Sequence, residues 1–258
     1  MENLITLNKV SYKYEDDFAL KNINLEIKEN EKVALLGCNG SGKSTLLRII
    51  AGLYFGNGEY FFENMKITKK TAKNLRAKLG ILFQNPDSMI FNPSVYDEIA
   101  FSLKEFGFND IEKKVEEIAK EFNITHLLKK SPLNLSGGEK QKVILASILV
   151  YNPKVLLLDE PTTAMDPRTT GWFIDFLIDL NKTVILATHD LAVAYETCER
   201  AVVLDENHKI IYDGNMEELM QNLDILIKAN LIHKHKHKHK RFIHSHYHTH
   251  FDIINNHS

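Results

Sequence analysis

Short apolar runs alternate with longer segments of helical periodicity along most of the chain. The runs that predict strands are residues 4–10, 20–28, 32–36, 79–83, 155–158 and 183–187. The segments with helical spacing are residues 43–51, 110–122 (with Asp110 as a cap), 141–150, 168–180 and 216–229. Hairpins are predicted over residues 59–67 and between 201–204 and 209–212. This alternation predicts an α/β fold with a mainly parallel sheet, and the helical stretch 97–130 predicts a helical subdomain between two strands.

The composition is that of a globular protein. The chain has 258 residues, of which 44% are hydrophobic, and this suffices for one large domain or one domain with a subdomain. The apolar runs are much shorter than the roughly 18 residues of a membrane span, and the N-terminal residues do not resemble a signal peptide. We therefore expect a cytoplasmic protein that is soluble or peripheral to a membrane. Cys38 and Cys198 provide neither a disulfide framework nor a metal cage.

Charge and histidine content divide the chain into two parts. Residues 233–258 carry about +4 with neutral histidines, which leaves about −6 for residues 1–232. The same segment contains nine of the twelve histidines. We therefore expect one domain over residues 1–232 and a separate, flexible His-rich tail over residues 233–258.

A glycine-rich loop follows the predicted strand 32–36. The sequence Gly37-Cys38-Asn39-Gly40-Ser41-Gly42-Lys43-Ser44-Thr45 fits the pattern G-x-x-x-x-G-K-[ST] between a strand and a helix. The N–H groups of such a loop wrap a phosphate, the lysine reaches the β- and γ-phosphates, and the serine hydroxyl is a ligand for Mg²⁺. A glycine-rich turn without a ligand is the alternative. We expect nucleotide binding by Gly37, Asn39, Gly40, Ser41, Gly42, Lys43, Ser44 and Thr45.

Polar residues stand at the ends of three other predicted strands. Gln84, the pair Asp159-Glu160, and His189 each follow an apolar run. Ligands of open α/β sheets bind beside the carboxyl ends of the strands. We expect Ser44, Gln84 and Asp159 to hold Mg²⁺. Glu160 is expected to polarise the attacking water and His189 to contact the γ-phosphate, whereas a solvated loop and a capping histidine are the structural alternatives.

One aromatic residue is a candidate for base recognition. Tyr14 is expected just before the first core strand, where its ring can stack on a nucleobase. Tyr12 is a competitor for this role, and an ordinary surface aromatic is the alternative for both.

A second pair of glycines lies roughly ninety residues after the first loop. In Leu135-Ser136-Gly137-Gly138-Glu139, two consecutive glycines let main-chain amides approach an anion closely. The helix expected after them would direct its free N–H groups at the same anion. Ser136, Gly137 and Gly138 are therefore candidates for a second phosphate-binding device.

Together these motifs resemble the ATP-binding cassette (ABC) family of ATPases over about residues 3–230. The matching motifs are the Walker A loop Gly37–Thr45, the Q-loop residue Gln84, the signature Leu135–Glu139, the Walker B strand end Asp159-Glu160, the D-loop Thr163–Asp166 and the switch histidine His189. Glu139 stands where Gln is common and Met165 where Leu is common. The resemblance implies hydrolysis of ATP to ADP and phosphate. It also implies a P-loop ATPase fold with an antiparallel β subdomain and a helical subdomain inserted at about residues 87–150.

The resemblance further implies a head-to-tail dimer. In this family the signature of one subunit closes over the γ-phosphate held by the Walker A loop of the other, so that two ATPs are sandwiched. Ser136, Gly137 and Gly138 would thus contact a nucleotide held by the partner's loop. A homodimer is expected, although pairing with a sister ATPase remains open.

The region after Gln84 resembles the ATPase subunits of energy-coupling-factor importers, which include cobalt, nickel and vitamin importers. The matching segments are Phe83–Asp87, Phe91–Val95 and Asp97–Phe101. This implies a transmembrane transporter subunit as partner and a peripheral location at the cytoplasmic face of the membrane. A plain amphipathic helix start is the alternative for Asp97–Phe101. Nucleic acid is not expected as a partner, but a vitamin importer or a soluble ABC ATPase without a transport role stays open.

The tail contains candidate metal ligands in two blocks. The first block is His233, His235, His237 and His239, spaced by lysines, and the second is His244, His246, His248 and His250, spaced by neutral residues. Imidazole suits Ni²⁺, Co²⁺ and Zn²⁺. Residues i and i+2 of an extended chain lie about 7 Å apart, so we expect a flexible tail to bend around the ion, with tighter binding by the second block because ammonium groups repel a cation. The alternatives are an expression tag, a solvated tail and a basic patch for anionic lipid.

Overall fold

The computed structural model describes residues 3–15, 17–163, 165–239 and 242–249, with the backbone alone described at 86, 87, 233–239 and 242–249. Ala164 of the predicted D-loop and His250 of the predicted tail site lie outside the described residues.

Strands and helices alternate as the apolar pattern predicts. The strands of residues 3–215 are β1 (Asn3–Tyr14), β2 (Asp17–Lys28), β3 (Lys32–Leu36), β4 (Asn57–Phe62), β5 (Met65–Lys66), β6 (Leu79–Leu82), β7 (Val155–Asp159), β8 (Thr183–Thr188), β9 (Arg200–Leu204) and β10 (Ile210–Asn215). The helices are α1 (Lys43–Ile50), α2 (Ala72–Arg76), α3 (Val95–Glu105), α4 (Ile111–Glu121), α5 (Gly137–Leu149), α6 (Pro167–Asp179), α7 (Leu191–Thr197), α8 (Met216–Gln221) and α9 (Leu223–Lys228).

A mainly parallel sheet forms the centre of the described chain. Its strands lie in the order β10-β9-β3-β8-β7-β6, and only the pairing of β9 with β10 is antiparallel within this sheet. The two-residue period of a strand sends alternate side chains to opposite faces. In β7, Val155 and Leu157 join one buried cluster, while Leu156 and Leu158 join the other. The strand is therefore apolar throughout because both of its faces are covered.

An antiparallel sheet covers one face of the core. Its order is β2-β1-β4-β5, and its apolar residues share a cluster with α1 and with one face of β3, β7 and β8. Helices α3 to α8 contribute to the cluster on the opposite face. The predicted fold class, with a mainly parallel core sheet, an antiparallel β layer and helices inserted between β6 and β7, is confirmed. Among the described residues, no helix is long and apolar enough to span a membrane.

Several local predictions need correction. Asp110 stands at the N-cap of α4, but its backbone is left-handed (φ 56°) and its side chain makes no capping hydrogen bond. The predicted helix 216–229 is interrupted at Asn222, whose φ and ψ of −99° and 80° are not helical and whose side chain caps the second helix. Tyr14 is itself the last residue of β1, and it precedes β2 as expected. Helix α5 begins at Gly137, four residues before the predicted start, because Ser136 and Glu139 form a capping box.

The C-terminal segment contains strands where the sequence indicated no regular element. Strand β11 (Ile232–His239) pairs antiparallel with β12 (Phe242–Thr249). Histidines recur at every second position in both strands. Leu231 and Ile232, the latter being the first residue of β11, are buried in the helical-face cluster, so this strand pair begins directly at the domain core.

Candidate active site

Glycine is required at two positions of the loop between β3 and α1. Gly42 caps α1 with a φ of 109°, and a Cβ there would lie 2.4 Å from the carbonyl oxygen of Ala19. A Cβ at Gly37, where φ is 147°, would lie 2.5 Å from the carbonyl oxygen of Leu204. Backbone oxygens cannot move aside as a flexible side chain can, so neither position accepts a larger residue without a shift of the main chain. The loop and the N-terminus of α1 thereby present their N–H groups as an anion cradle.

Lys43 is buried beneath this loop. Its ammonium donates hydrogen bonds to the carbonyl oxygens of Gly37 at 2.7 Å and Cys38 at 3.2 Å, and it lies 3.6 Å from Oε1 of Glu160. Both charged side chains are only 6% exposed. Glu160 Oε1 and the hydroxyl of Ser41 are buried without a hydrogen-bond partner among the described residues. Such orphaned atoms are rare in proteins, and a donor hydroxyl beside an ammonium fits phosphate oxygens.

Ser44 and Asp159 form a pair of oxygen ligands at the end of β7. The Ser44 hydroxyl donates a hydrogen bond of 2.9 Å to Oδ1 of Asp159. Burial raises the pKa of Asp159, and the hydrogen bond from Ser44 opposes this to a smaller extent. A carboxylate and a hydroxyl are hard oxygen donors of the kind that Mg²⁺ prefers. These donors therefore fit a magnesium ion next to a bound phosphate.

Glu160 connects the ends of two neighbouring strands. The parallel register pairs Asp159 with Ala187. The residues that follow these two, Glu160 and Thr188, therefore lie close together. Oε2 of Glu160 accepts a hydrogen bond of 3.2 Å from the Thr188 hydroxyl and lies 2.9 Å from Nδ1 of His189. Glu160 has a left-handed φ of 49°, a conformation that costs about 1–3 kcal/mol in a non-glycine residue. Such strain is concentrated at functional sites, where the surrounding structure holds the side chain in place.

Several of these groups line a cavity of about 760 Å³, whereas the predicted residues Gly37, Ser41, Asp159 and His189 are not part of its lining. The predicted residues that line it are Tyr14, Asn39, Gly40, Gly42, Lys43, Ser44, Thr45, Gln84 and Glu160. The hydroxyl of Tyr14 lies 3.2 Å from that of Thr45, and the Tyr14 ring is 42% exposed. Gln84 is exposed at the cavity wall. One cavity thus brings together the first loop, the predicted base-stacking tyrosine and the ends of β6 and β7.

Five further residues that line this cavity were not predicted from the sequence, namely Asp17, Phe18, Ala19, Lys21 and His208. Phe18 is half-exposed at the cavity, with the Lys13 ammonium 4.3 Å and the Lys21 ammonium 5.4 Å from its ring centroid. His208, in the β9–β10 turn, has Nδ1 3.3 Å from the carbonyl oxygen of Ser41. The carbonyl oxygen of His208 accepts the N–H of Lys21 at 2.9 Å. These contacts join segments that are far apart in the sequence, and no periodicity or motif in the chain indicates them.

The second glycine pair lies in a separate cavity of about 510 Å³. Ser136, Gly137 and Gly138 line it together with residues of α6. The Ser136 hydroxyl donates to Oε2 of Glu139 at 2.8 Å, and the Ser136 N–H donates to the same oxygen at 2.9 Å. These bonds lower the pKa of Glu139. Within one chain, therefore, the two glycine motifs line two different cavities.

The predicted tail site can be followed only through its backbone. Seven of its eight histidines lie on β11 and β12, namely His233, His235, His237, His239, His244, His246 and His248. Among the side chains that the structure describes, no group of three or more His, Cys, Asp or Glu is arranged to hold a metal ion.

A P-loop ATPase with an added antiparallel β layer is the class that this architecture defines. The family model described as ABC transporter matches residues 20–163. A candidate ABC transporter ATP-binding protein of Clostridium acetobutylicum is 42% identical over 89% of this chain and 100% of its own length. One of Methanocaldococcus jannaschii is 44% identical over 88% of this chain and 85% of its own.

Two solved structures share the fold. The structure of cbiO1 from Clostridium perfringens, described as part of the ABC transporter complex cbiONQ, has 35% identity and a TM-score of 0.78 over 90% of this chain and 96% of its own. An ATP-binding cassette in a dimeric post-hydrolysis state with ADP and Pi has 31% identity and a TM-score of 0.71 over 82% of this chain and 98% of its own. The chain belongs to the ABC transporter family and is one of its ATPases.

Proposed function

We propose that this chain is the ATP-hydrolysing subunit of an ABC importer that powers uptake of a transition-metal ion, nickel or cobalt, through a membrane partner. The observation that carries the enzymatic part is the set of contacts that links Lys43, Glu160 and His189 beneath the first glycine loop. The likeness to cbiO1, part of the complex cbiONQ, supports the importer part. The same likeness supports a peripheral position at the cytoplasmic face of the membrane.

In this proposal the chain binds ATP through the loop 37–45, with the Tyr14 ring stacked on the base. Lys43 and the loop N–H groups neutralise the β- and γ-phosphates. Ser44, Asp159 and Gln84 would hold Mg²⁺, and the ion would neutralise the charge that develops during hydrolysis. The Ser44–Asp159 hydrogen bond supports this assignment, because it brings two oxygen ligands together.

Glu160 positions and polarises the attacking water. Its Oε2 is occupied by Thr188 and His189, and its Oε1 has no hydrogen-bond partner among the described residues. One carboxylate oxygen therefore orients the side chain, and the other accepts a hydrogen bond from water. His189 is 33% exposed and contacts Glu160, and in this proposal it stabilises charge on the γ-phosphate.

The signature residues act on a nucleotide held by a second subunit. The separate cavities of the two glycine motifs support a head-to-tail arrangement, as does the likeness to a dimeric cassette. ATP makes contacts to both subunits, and the loss of the γ-phosphate weakens them, so that hydrolysis opens the dimer. A homodimer is the simplest form of this arrangement.

The membrane partner binds near Gln84. Phe91 is 64% exposed and packs edge-to-face on the half-exposed Phe101, with ring centroids 4.9 Å apart. The buried Glu98 accepts hydrogen bonds from the N–H groups of Phe91 and Asn92 and thereby holds this aromatic pair at the surface. Exposed aromatic residues on a rigid support are typical of interaction surfaces.

The transported ion is assigned from the His-rich segment, which we propose captures a divalent metal beside the importer. The test is to identify membrane proteins that co-purify with the chain, and then to measure ⁶³Ni and ⁵⁷Co uptake by cells that express the complex. Uptake that depends on the complex and is lost in Glu160→Gln supports the proposal. Co-purification with uptake of a vitamin instead, or the absence of any membrane partner, contradicts it.

A further inference from the structure

Three tyrosine rings pack against one another beside the nucleotide cavity. Tyr12 stacks on Tyr54, with ring centroids 5.2 Å apart and an angle of 3° between the rings. The ring of Tyr14 is almost perpendicular to both, at 82° and 5.1 Å from Tyr12 and at 85° and 5.9 Å from Tyr54. Perpendicular packing is a favoured arrangement, because the positive edge of one ring meets the negative face of another. The stacked pair therefore orients the ring of Tyr14.

The three rings differ in their access to the cavity. Tyr14 lines it, whereas Tyr12 and Tyr54 are not part of its lining. The three centroids form a nearly equilateral triangle, so Tyr12 and Tyr54 lie on the same side of Tyr14. Tyr14 is nevertheless 42% exposed, and its hydroxyl lies 3.2 Å from that of Thr45. Its ring is thus held on one side and at its hydroxyl, and it keeps surface for a ligand.

Tyr54 is fixed in turn by helix α1. Its N–H donates a hydrogen bond of 3.2 Å to the carbonyl oxygen of Arg48, and the guanidinium carbon of Arg48 lies 5.9 Å from the Tyr54 ring centroid. A cation over an aromatic face is attracted by the ring quadrupole. Because α1 directly follows the first glycine loop, these contacts tie the tyrosine rings to the element that positions that loop.

We propose that Tyr54 is a positioning residue for recognition of the nucleotide base, and that it acts by holding the ring of Tyr14 perpendicular to its own stacked pair with Tyr12. The inference rests on the proposed function, in which the base stacks on Tyr14. Stacking accepts any base, since every base has a π-face. The arrangement therefore favours nucleotides over inorganic phosphates rather than one base over another.

The test uses ADP and inorganic pyrophosphate as probes, because both offer two phosphoryl groups and only ADP carries a base. Their dissociation constants are measured with Mg²⁺ by calorimetric titration of the full-length chain. An aromatic pair changes an equilibrium constant by about two- to tenfold. Tyr54→Leu should therefore weaken ADP binding by about that factor and leave pyrophosphate binding unchanged. Tyr54→Phe keeps the ring and should lose less.

Phe55→Leu is the matched control for the loss of an aromatic ring. Phe55 is the next residue and packs against the same core cluster as Tyr54. This variant should bind both probes as the wild-type chain does. Equal weakening of ADP and pyrophosphate binding in Tyr54→Leu would overturn the inference, since it would indicate a general disturbance of the phosphate loop.

Tyr14→Leu separates this inference from the proposed function. It should weaken ADP binding at least as much as Tyr54→Leu, and the double variant should bind ADP no more weakly than Tyr14→Leu, because Tyr54 acts through Tyr14. Unchanged ADP binding in Tyr14→Leu would contradict the proposed stacking of the base on this ring. Weaker binding in Tyr14→Leu together with unchanged binding in Tyr54→Leu would overturn the positioning role alone.

Discussion

Gly137 offers a test of whether the second glycine motif acts on a partner molecule. It is the first residue of α5, and a Cβ there would have no neighbour within 4 Å among the described residues. Alanine favours a helix over glycine because it has less conformational freedom to lose. Gly137→Ala should therefore raise the free energy of unfolding by about 0.5–1 kcal/mol, which corresponds to an increase of about 1–4 °C in Tm for a chain of this size.

The same substitution should damage hydrolysis. The added methyl group stands between the N-terminus of α5 and a phosphate held by the other subunit, and a displacement of about 1 Å at a reacting group costs about 10²-fold in rate. Thermal unfolding and steady-state phosphate release measure the two effects. Gly171→Ala in α6 is the matched control, since its Cβ also has no neighbour within 4 Å among the described residues. A Gly137→Ala protein that is stabilised yet hydrolyses ATP at the wild-type rate would refute the reasoning.

Four other substitutions test the nucleotide site. Glu160→Gln should reduce phosphate release by about 10²–10⁴-fold while ATP still binds, and an unchanged rate would exclude Glu160 as the water-polarising group. Asp159→Asn should raise the free energy of unfolding, measured by urea denaturation at pH 7 in the absence of Mg²⁺. Burial raises the pKa of Asp159 above its ordinary 3.8, so ionisation penalises the folded state as the pH rises through that range. A loss of stability would contradict this sign. Gly42→Ala should abolish ATP binding, because its Cβ would lie 2.4 Å from the carbonyl oxygen of Ala19 in addition to the strain of a φ of 109°. Gly40→Ala is strained by a φ of 83° but has no neighbour within 4 Å among the described residues, so it should lose less binding. Equal losses in a binding titration would contradict the distinction.

The parts of the fold that follow from local pattern were predictable from the sequence. Apolar runs such as Val155–Leu158 must be covered on both faces, which requires a parallel sheet between two layers. Since the carboxyl ends of neighbouring parallel strands meet at one edge, the sequence places Glu160 and His189 at the same edge of the sheet. Their 2.9 Å contact is a detail that the structure adds.

The features that escaped prediction depend on contacts between distant segments. Phe18, near the start of β2, and His208, in the turn between β9 and β10, both line the cavity, and neither stands in a recognisable motif. Helix 216–229 has continuous apolar spacing, yet Asn222 interrupts it because its side chain caps the helix that follows. The pairing of β11 with β12 is likewise a matter of register, which composition alone does not specify.

A mixed dimer tests the central claim, that ATP is bound between two subunits, most directly. Both subunits carry Glu160→Gln to prevent hydrolysis, and one also carries Lys43→Ala while the other carries Ser136→Arg. In a head-to-tail dimer both defects fall on the same composite site, so the other site remains intact. The control combines Lys43→Ala and Ser136→Arg in one subunit with a Glu160→Gln partner, which damages both sites.

The measurement is the number of ATP molecules trapped per dimer after gel filtration. The account predicts one ATP in the mixed dimer and none in the control. The reverse result, none in the mixed dimer and one in the control, would show that each subunit completes its own site and would contradict the account.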